Sequence, residues 1–424
     1  MTLLKELKQL WFFDFFIIAL FLLNSFQVGP FTIRVYATIL MAISLIIDYS
    51  KNSNRPNLVP IKRTEVKIYI TFLIVMSICL LLNGEFSEYA FLKKILAYHL
   101  PCIIVFFAIS LKINTYKAIR HTIIVLFVIL IFDEIITVLQ ANGNSTAWGV
   151  GIMLSPLDNI NERADTLDGF LGYSVIPGLF GSVVKNAFYL ASLAPLSLAL
   201  LERKDCKINI ILVITFLALS LYAIYITQQR AAFYVFVLSL VLYLSISFVK
   251  RPFYILIFFV VVLLAFPYID SHFQTINLGR LTDTYDTGRN DIYQHAFEFI
   301  PNHILLGGPV SFLRIAGLPA HNLFIDGIIS SGIIGLILLI IFTLRTLLKA
   351  FQSFYYFYKR KCSMVTFALS LAFLSCTLYG FTHNTSVLTG EPILFILWAL
   401  LLKSINIDNN QSYDKIQKRI GVLY

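Results

Sequence analysis

Charged residues are scarce in this sequence. Asp, Glu, Lys and Arg make up 13% of its 424 residues, whereas 58% of the residues are hydrophobic. A soluble protein of this length needs far more polar surface to face water. The apolar residues also fall in blocks of about 20 residues, the length that lets a helix cross a bilayer. The shortage of charge therefore argues against a soluble protein and predicts an all-α, polytopic membrane protein.

Other signatures are missing as well. The apolar blocks do not alternate with a period of two residues, which argues against a transmembrane β-barrel. There is no Cys-x-x-Cys pair, no zinc-ligand spacing, no glycine-rich phosphate loop and no paired-carboxylate glycosidase signature, so we expect neither a metal nor a cofactor. The amino terminus has no small-residue cleavage site, and the first apolar block is expected to be a retained span.

The apolar blocks predict about twelve transmembrane helices within a single integral membrane domain, residues 1–424. The blocks fall at residues 10–28, 31–48, 66–82, 91–111, 121–140, 176–201, 208–227, 231–249, 253–269, 322–345, 363–382 and 386–402.

Lys and Arg residues indicate the orientation of these helices. The alternate connections that begin with the amino terminus hold 24 of the 33 basic residues. Because basic connections stay in the cytoplasm, both termini are predicted to be cytoplasmic and the other connections extracytoplasmic. This distribution also accounts for the net charge of +10, so the expected partner is the lipid bilayer and not a nucleic acid. None of the five cysteines falls in an outer connection, and no disulfide is expected there.

Two connections on the outer side are too long to be simple turns. Residues 141–175 are the smaller outer loop, and residues 270–321 are the large outer loop between spans nine and ten. Long structured connections between spans are commonly functional.

A short amphipathic helix is predicted inside the large loop, at residues 288–300. Asp286 or Thr287 can cap it, and Pro301 is predicted to end it. Arg289 falls in line with the apolar positions of this helix, so its side chain is predicted to face the membrane domain. The alternative is a solvated loop arginine.

Four polar residues, 227–230, interrupt an apolar stretch, 208–249, that is twice as long as one span. They are predicted to form a turn at the outer face. Arg230 would present there a planar fork of donors that suits a phosphate group. The alternative is an interfacial arginine that extends towards the lipid headgroups.

His321 and Asn322 stand where the large outer loop meets the next span. A histidine at the mouth of a span can act as a general base or bind an anion, and the alternative is a water-exposed interfacial histidine. Asp326 lies one turn further on, where its alternative role is a helix-packing carboxylate. Gly332 and Gly335 fall on the helical face of His321, where they would let another helix approach closely.

Further ionisable residues fall inside predicted spans. Lys185 counts to the outer portion of its span, where it could belong to a polar floor beneath an outward cavity. For acidic residues such as Asp133 and Glu134, charge pairing that fixes helix packing is the better explanation. A second His-Asn pair, His383 and Asn384, stands at another outer end, but no long loop surrounds it and a functional role is not favoured.

Three motifs follow one another in the carboxyl-terminal half. They are TQQRA at 227–231, GRNDIYQ at 288–294 and AHNLFIDGIISSGIIG at 320–335. Together they place an arginine between two spans, a large outer loop after it, and a His-Asn pair before a Gly-x-x-Gly. In this order and spacing the chain resembles the bacterial O-antigen polymerase and O-antigen ligase superfamily, to which its amino-terminal half adds only hydropathy.

The resemblance implies a glycosyltransferase of the bacterial inner membrane whose active site faces the periplasm. Its donor would be a glycan on undecaprenyl diphosphate. Arg230 and Arg289 would bind the diphosphate and stabilise it as the leaving group, while His321 would activate the acceptor hydroxyl or hydrogen-bond the diphosphate. Two arginines could replace the metal that many soluble sugar-diphosphate enzymes use. Candidate supporting residues are Asn322, Asp326 and Lys185.

The acceptor distinguishes the two activities of this superfamily. A polymerase passes the growing chain to a new lipid-linked repeat unit, and a ligase passes it to lipid A-core. The His-Asn motif with a following acidic residue and the short termini resemble the polymerase branch more closely, and this resemblance implies a chain-length regulator protein as a further partner. The alternative of another class is a transporter that flips lipid-linked sugars. Transporters place polar residues near mid-membrane between repeated halves, whereas here they gather at one face and no repeat is visible.

Overall fold

Helices dominate the structure, a computed structural model that describes residues 2–23, 26–28, 31–51, 64–154, 176–202, 207–248, 289–383 and 387–421. Within these residues, eight helices are long and apolar enough to cross a membrane, and three shorter apolar helices accompany them. The chain is therefore an all-α polytopic membrane protein, as its composition predicts.

The secondary-structure elements follow in chain order. The amino-terminal part contains α1 (Thr2–Phe21), the antiparallel pair β1 (Gln27–Val28) and β2 (Phe31–Thr32), α2 (Ile33–Lys51), α3 (Thr64–Leu82), α4 (Phe91–Lys112), α5 (Tyr116–Ala141), α6 (Ser145–Leu154) and α7 (Val183–Leu193), which continues as a 3₁₀ helix (Ala194–Glu202). The carboxyl-terminal part contains α8 (Lys207–Ile226), α9 (Arg230–Phe248), α10 (Arg289–His303), α11 (Pro309–Ala316), α12 (Leu323–Tyr358), α13 (Met364–Thr382) and α14 (Pro392–Gly421).

Hydropathy locates these helices closely. The blocks 208–227 and 231–249, for example, correspond to α8 and α9, because an apolar run must match the thickness of the bilayer. The block 253–269 lies outside the described residues, so the total of about twelve spans stays a prediction, and so does their orientation.

The chain divides into two compact units. The first consists of Met1–Leu126, Asp286–Ser353 and Cys376–Tyr424, and the second of Phe127–Tyr285 and Phe354–Ser375. Within the first unit, α14 packs along the carboxyl-terminal part of α4, α2 also packs on α4, and α1 packs on α2. Trp398 of α14 is among the largest fully buried side chains.

Buried acids of the second unit have polar partners. Asp133 of α5 accepts a hydrogen bond from the backbone N–H of Leu179 at 2.8 Å, and Glu134 accepts one from the hydroxyl of Ser220 of α8 at 2.5 Å. The donors of these bonds are a peptide N–H and a hydroxyl. The bonds therefore join α5 to neighbouring segments by hydrogen bonding, and not by the charge pairing that the sequence favours.

The smaller predicted outer loop contains a helix. Asn144 caps α6, since its side-chain oxygen accepts from the backbone N–H of Ala147 at 3.0 Å. The remainder of this loop, 155–175, lies outside the described residues.

The helix of the large predicted loop is α10. Ile292, Ala296 and Phe299 are buried on one face, where they pack in a cluster with residues of α11 and α12. The prediction that Pro301 ends this helix is wrong, because the helix continues through it to His303. A proline in the last turn removes one backbone donor but leaves the next residues free to adopt helical dihedrals. The predicted caps and the loop residues 270–288 lie outside the described residues.

Polar side chains that follow α3 hold α11 in place. The carboxylate of Glu85 accepts from the backbone N–H groups of Val310 and Ser311 at 3.0 and 2.9 Å. A negative charge at the first turn of a helix is favourable, because it satisfies free N–H groups and the helix dipole. Asn83 donates its amide to the carbonyl of Gly307 at 3.1 Å. The turn between α10 and α11 and the first turn of α11 are thus both fixed to the residues that follow α3.

Helix α12 is broken after its second turn. Ser331 (φ −149°, ψ 15°) and Gly332 (φ 61°, ψ −168°) have non-helical dihedrals. The backbone N–H of Ile333 donates to the carbonyl of Ile304 at 2.8 Å, outside its own helix. The turn between α10 and α11 therefore replaces part of the missing helical hydrogen bonding.

Neither glycine of the Gly-x-x-Gly motif has room for a side chain at this break. A Cβ on Gly332 would lie 2.0 Å from the carbonyl oxygen of Leu305, and a Cβ on Gly335 would lie 1.9 Å from the hydroxyl oxygen of Ser331. The prediction that both glycines share a continuous helical face with His321 is wrong, because the helix is interrupted. Gly332 accommodates the backbone of a turn, and not a neighbouring helix.

Candidate functional site

His321 lies just before α12 with its backbone in the left-handed region, at φ 54°. The carboxylate of Asp326 accepts from the backbone N–H groups of Ala320 at 2.8 Å and Asn322 at 3.1 Å. Both neighbours of His321 are therefore held by one side chain. This anchoring maintains a conformation that a non-glycine residue rarely adopts, and it fixes the direction in which the imidazole leaves the chain.

Asn322 joins the start of α12 to the end of α13. Its side-chain oxygen accepts from the backbone N–H groups of Phe324 and Ile325 at 3.0 and 3.2 Å, which caps α12. Its amide nitrogen donates to the carbonyl of Phe381 at 3.1 Å. The rings of Phe324 and Phe381 also contact each other, with centroids 5.4 Å apart. One asparagine thus sets both the first turn of α12 and its distance from α13.

Asp326 supports the site and does not face it. Its carboxylate is buried, and its oxygen atoms are directed at the peptide groups beside His321. The phenol of Tyr89, between α3 and α4, lies close enough to sense this charge. Burial, and next the charge of Asp326, raise the pKa of Tyr89 to about 12, although a hydrogen bond with Ser330 lowers it. The phenol therefore stays protonated at physiological pH.

His383 brings Arg289 and His321 to one place. It follows the last residue of α13, is 6% exposed, and stacks on the ring of Tyr379 with centroids 4.8 Å apart. The Nη2 atom of Arg289, the first residue of α10, lies 3.5 Å from the Nε2 atom of His383. The ring of His321 meets the same imidazole edge-on, with centroids 6.1 Å apart. The guanidinium of Arg289 and the half-buried imidazole of His321 thus both lie beside the buried ring of His383.

Arg230 and Lys185 belong to the second unit. Arg230 begins α9 after the polar turn that the sequence predicts, in which Gln228 has a φ of 54° and donates its amide to the carbonyl of Tyr225 at 3.0 Å. Lys185 lies in the first turn of α7. A common cavity for Arg230, Arg289 and His321 stays a prediction.

The sequence does not favour a functional role for His383, and it gives no indication that Tyr379 lies at the site. A signal for His383 existed, since it opens a second His-Asn pair at the end of an apolar block. Because no long loop surrounds this pair, the sequence alone does not favour a functional role for it. The hydrogen bond from Asn322 to the end of α13, which brings His383 to the first His-Asn pair, is tertiary and leaves no mark in a hydropathy pattern.

Among the described residues, no group of three or more His, Cys, Asp or Glu side chains could hold a metal ion. The expectation of a metal-independent reaction stays a prediction.

Comparison with known proteins identifies the region that carries this site. Residues 215–340 match the family model described as O-Antigen ligase. The match includes the arginine turn, α10 and the His-Asn start of α12, which are the segments that carry the three motifs, whereas His383 lies outside it. No curated protein matches the chain. This match supports the resemblance to the O-antigen polymerase and O-antigen ligase superfamily that the three motifs indicate.

Proposed function

We propose that this chain is a membrane glycosyltransferase that polymerises undecaprenyl-diphosphate-linked oligosaccharide repeat units at the outer face of the bacterial inner membrane, with both termini in the cytoplasm. The growing glycan passes from its lipid carrier to the non-reducing end of a new lipid-linked repeat unit. The observation that carries the proposal is that Arg289 and His321 lie against the same buried imidazole, within a protein whose residues 215–340 match the family.

The chemistry needs a cation at the leaving group. Breaking the bond between the anomeric carbon and the diphosphate builds negative charge on the diphosphate oxygen. A guanidinium already held in place stabilises that charge without reorganising, and its planar fork suits two phosphate oxygens. Arg289 is the first such group. Arg230, in the second unit, is proposed as the second, and Lys185 as a supporting cation.

The chemistry also needs the acceptor hydroxyl to lose its proton. His321 has the appropriate group, since a neutral imidazole is a general base near physiological pH. The carboxylate of Asp326 holds the peptide N–H groups on both sides of it, and the side chain of Asn322 caps the helix that follows. Those two residues therefore position the histidine, which either takes the acceptor proton or hydrogen-bonds the diphosphate.

Ligation is the second candidate, because the matching family model bears the description O-Antigen ligase. The donor half of the reaction is the same in both activities. In a ligase the glycan would pass to lipid A-core, and the residues named here would keep their roles. A chain-length regulator protein is proposed as a partner only for the polymerase.

The acceptor decides between the two candidates. Purified protein in lipid vesicles would be given a labelled repeat unit on undecaprenyl diphosphate, first alone and then with lipid A-core. The proposal expects a ladder of lipid-linked products from the repeat unit alone. Products that appear only after lipid A-core is added would establish the ligase. Movement of labelled lipid between leaflets without any new glycosidic bond would overturn both in favour of transport.

A further inference from the structure

His383 stands outside the residues that match the family, yet it is buried at the candidate site, whereas His321 is half-buried. Its backbone N–H donates to the carbonyl of Tyr379 at 3.0 Å, so the residue continues the helical pattern of α13. Its ring stacks on that of Tyr379 with an interplanar angle of 19°. Backbone and stacking together restrict the ring to one plane, and a ring held this way can orient whatever it bonds.

The contact with Arg289 sets the protonation of His383. A guanidinium has only donors, so the Nε2 atom of His383 must accept across the 3.5 Å that separates the two atoms. The ring is then neutral and carries its proton on Nδ1. His383 is therefore a neutral acceptor directed at the head of Arg289.

The position of His321 makes this contact relevant to the reaction. Its ring meets the same imidazole edge-on, with an interplanar angle of 69°. His383 thus touches the proposed leaving-group cation and borders the proposed acceptor histidine. A shift of this one ring would alter the geometry between the two.

We infer that His383 is a positioning residue for Arg289: its neutral imidazole holds the guanidinium in the orientation that receives the diphosphate of the lipid-linked donor. This inference rests on the proposed function. A free arginine side chain samples many rotamers, and a planar fork that is fixed beforehand loses less entropy when it binds phosphate. One N–H of Arg289 directed at His383 leaves the others for phosphate oxygens.

Two substitutions separate this role from packing. His383→Phe keeps an aromatic ring for Tyr379 to stack on but removes the acceptor. His383→Gln gives up the stacking but returns an acceptor, its amide oxygen. Binding of undecaprenyl diphosphate to the purified full-length protein is the measurement. We expect His383→Phe to weaken binding roughly 10- to 100-fold, the range for a lost hydrogen bond to a charged group, and His383→Gln to recover most of it. If the ring served packing alone, His383→Phe would be the milder variant.

A double-mutant cycle tests whether His383 acts through Arg289. In an Arg289→Ala background, His383→Phe should weaken binding no further. His303→Phe is the matched control, because His303 also stacks on an aromatic ring, that of Phe299 at 3.8 Å, but lies at the opposite end of α10 from Arg289. It should bind as the unmodified protein does.

The outcomes are distinct. Unchanged binding by His383→Phe, or an equal loss with and without Arg289, would overturn the positioning role while the proposed function stands. Unchanged binding and unchanged polymer length in Arg289→Ala would overturn both the positioning role of His383 and the role proposed for Arg289, since the arginine would then have no part in donor recognition. The proposed function itself would fail only if the unmodified protein formed no glycosidic bond.

Discussion

The side-chain amide of Asn322 donates to the carbonyl of Phe381 at 3.1 Å, and this bond fixes the start of α12 against the end of α13. His321 precedes Asn322 by one residue, and His383 follows Phe381 by two. The two histidines meet because of this bond between their neighbours. His383 therefore belongs to the site through tertiary structure alone.

Asn322 has two separable roles, and substitutions should separate them. Asn322→Ala removes the helix cap and the bond to Phe381, and should cost about 0.5–2 kcal/mol of stability from the cap together with most of the activity. Asn322→Ser restores a good cap but cannot reach the carbonyl, so it should recover the melting temperature and not the polymerisation rate. Both are measured on purified protein. Full activity in Asn322→Ser would show that the bond to Phe381 is dispensable.

Arg289 should not tolerate lysine. Lysine keeps the charge but loses the planar fork, so Arg289→Lys should fail nearly as badly as Arg289→Ala, by about 10²–10³-fold in polymerisation rate. Arg230→Lys should behave similarly but more mildly, because a turn at the membrane surface admits water. Arg314→Lys is the matched control, since Arg314 of the neighbouring helix α11 makes an exposed ion pair with Glu88. A rate for Arg289→Lys near that of the control would contradict two-pronged contact with the diphosphate.

Hydropathy and motif order predict the positions of the helices, but they do not predict the tertiary contacts between them. The apolar blocks locate α8, α9 and the polar turn before Arg230, because span length and a polar interruption are local properties. The break in α12 at Gly332 is not predictable in this way, since it depends on hydrogen bonds with the turn between α10 and α11. The role of His383 depends likewise on the bond between Asn322 and Phe381.

Substitution of Gly332 in α12 should prevent correct folding. Alanine at a φ of 61° is strained, and its Cβ would also lie 2.0 Å from the carbonyl oxygen of Leu305, which is backbone and cannot move aside. Gly332→Ala should therefore reduce the yield of folded protein. Gly317→Ala is the control, because Gly317 has a φ of 71° but nothing within 4 Å of its Cβ position, and it should cost only about 1–2 kcal/mol. Equal melting temperatures of the two variants would argue against close packing at the break.

Polymerisation should proceed without a divalent metal. The expected catalytic cations are arginines, whose charge no chelator removes. Turnover of the lipid-linked repeat unit would be measured in vesicles after dialysis against EDTA, with and without added magnesium or manganese. Activity abolished by the chelator and restored by either ion would contradict the arginine-based mechanism.

His321→Ala should stop polymerisation while donor binding survives, if the histidine acts on the acceptor proton. A general base contributes about 10²–10⁴-fold in rate, so cells carrying this variant at matched protein levels should lose long surface glycan chains. Binding of undecaprenyl diphosphate to the purified variant distinguishes the two roles proposed for His321: a loss as large as that of Arg289→Ala would make it a diphosphate ligand. Normal long chains would remove it from the mechanism.

Asp326→Asn completes the test of the base. An amide keeps one oxygen that can accept from the peptide groups beside His321, but it cannot take a proton from the acceptor. Because the carboxylate of Asp326 is directed at the backbone N–H groups of Ala320 and Asn322, we expect Asp326→Asn to retain more activity than His321→Ala. A deeper loss in Asp326→Asn, at an unchanged melting temperature, would transfer the role of base from His321 to Asp326, since weakened positioning alone cannot cost more than removal of the residue being positioned.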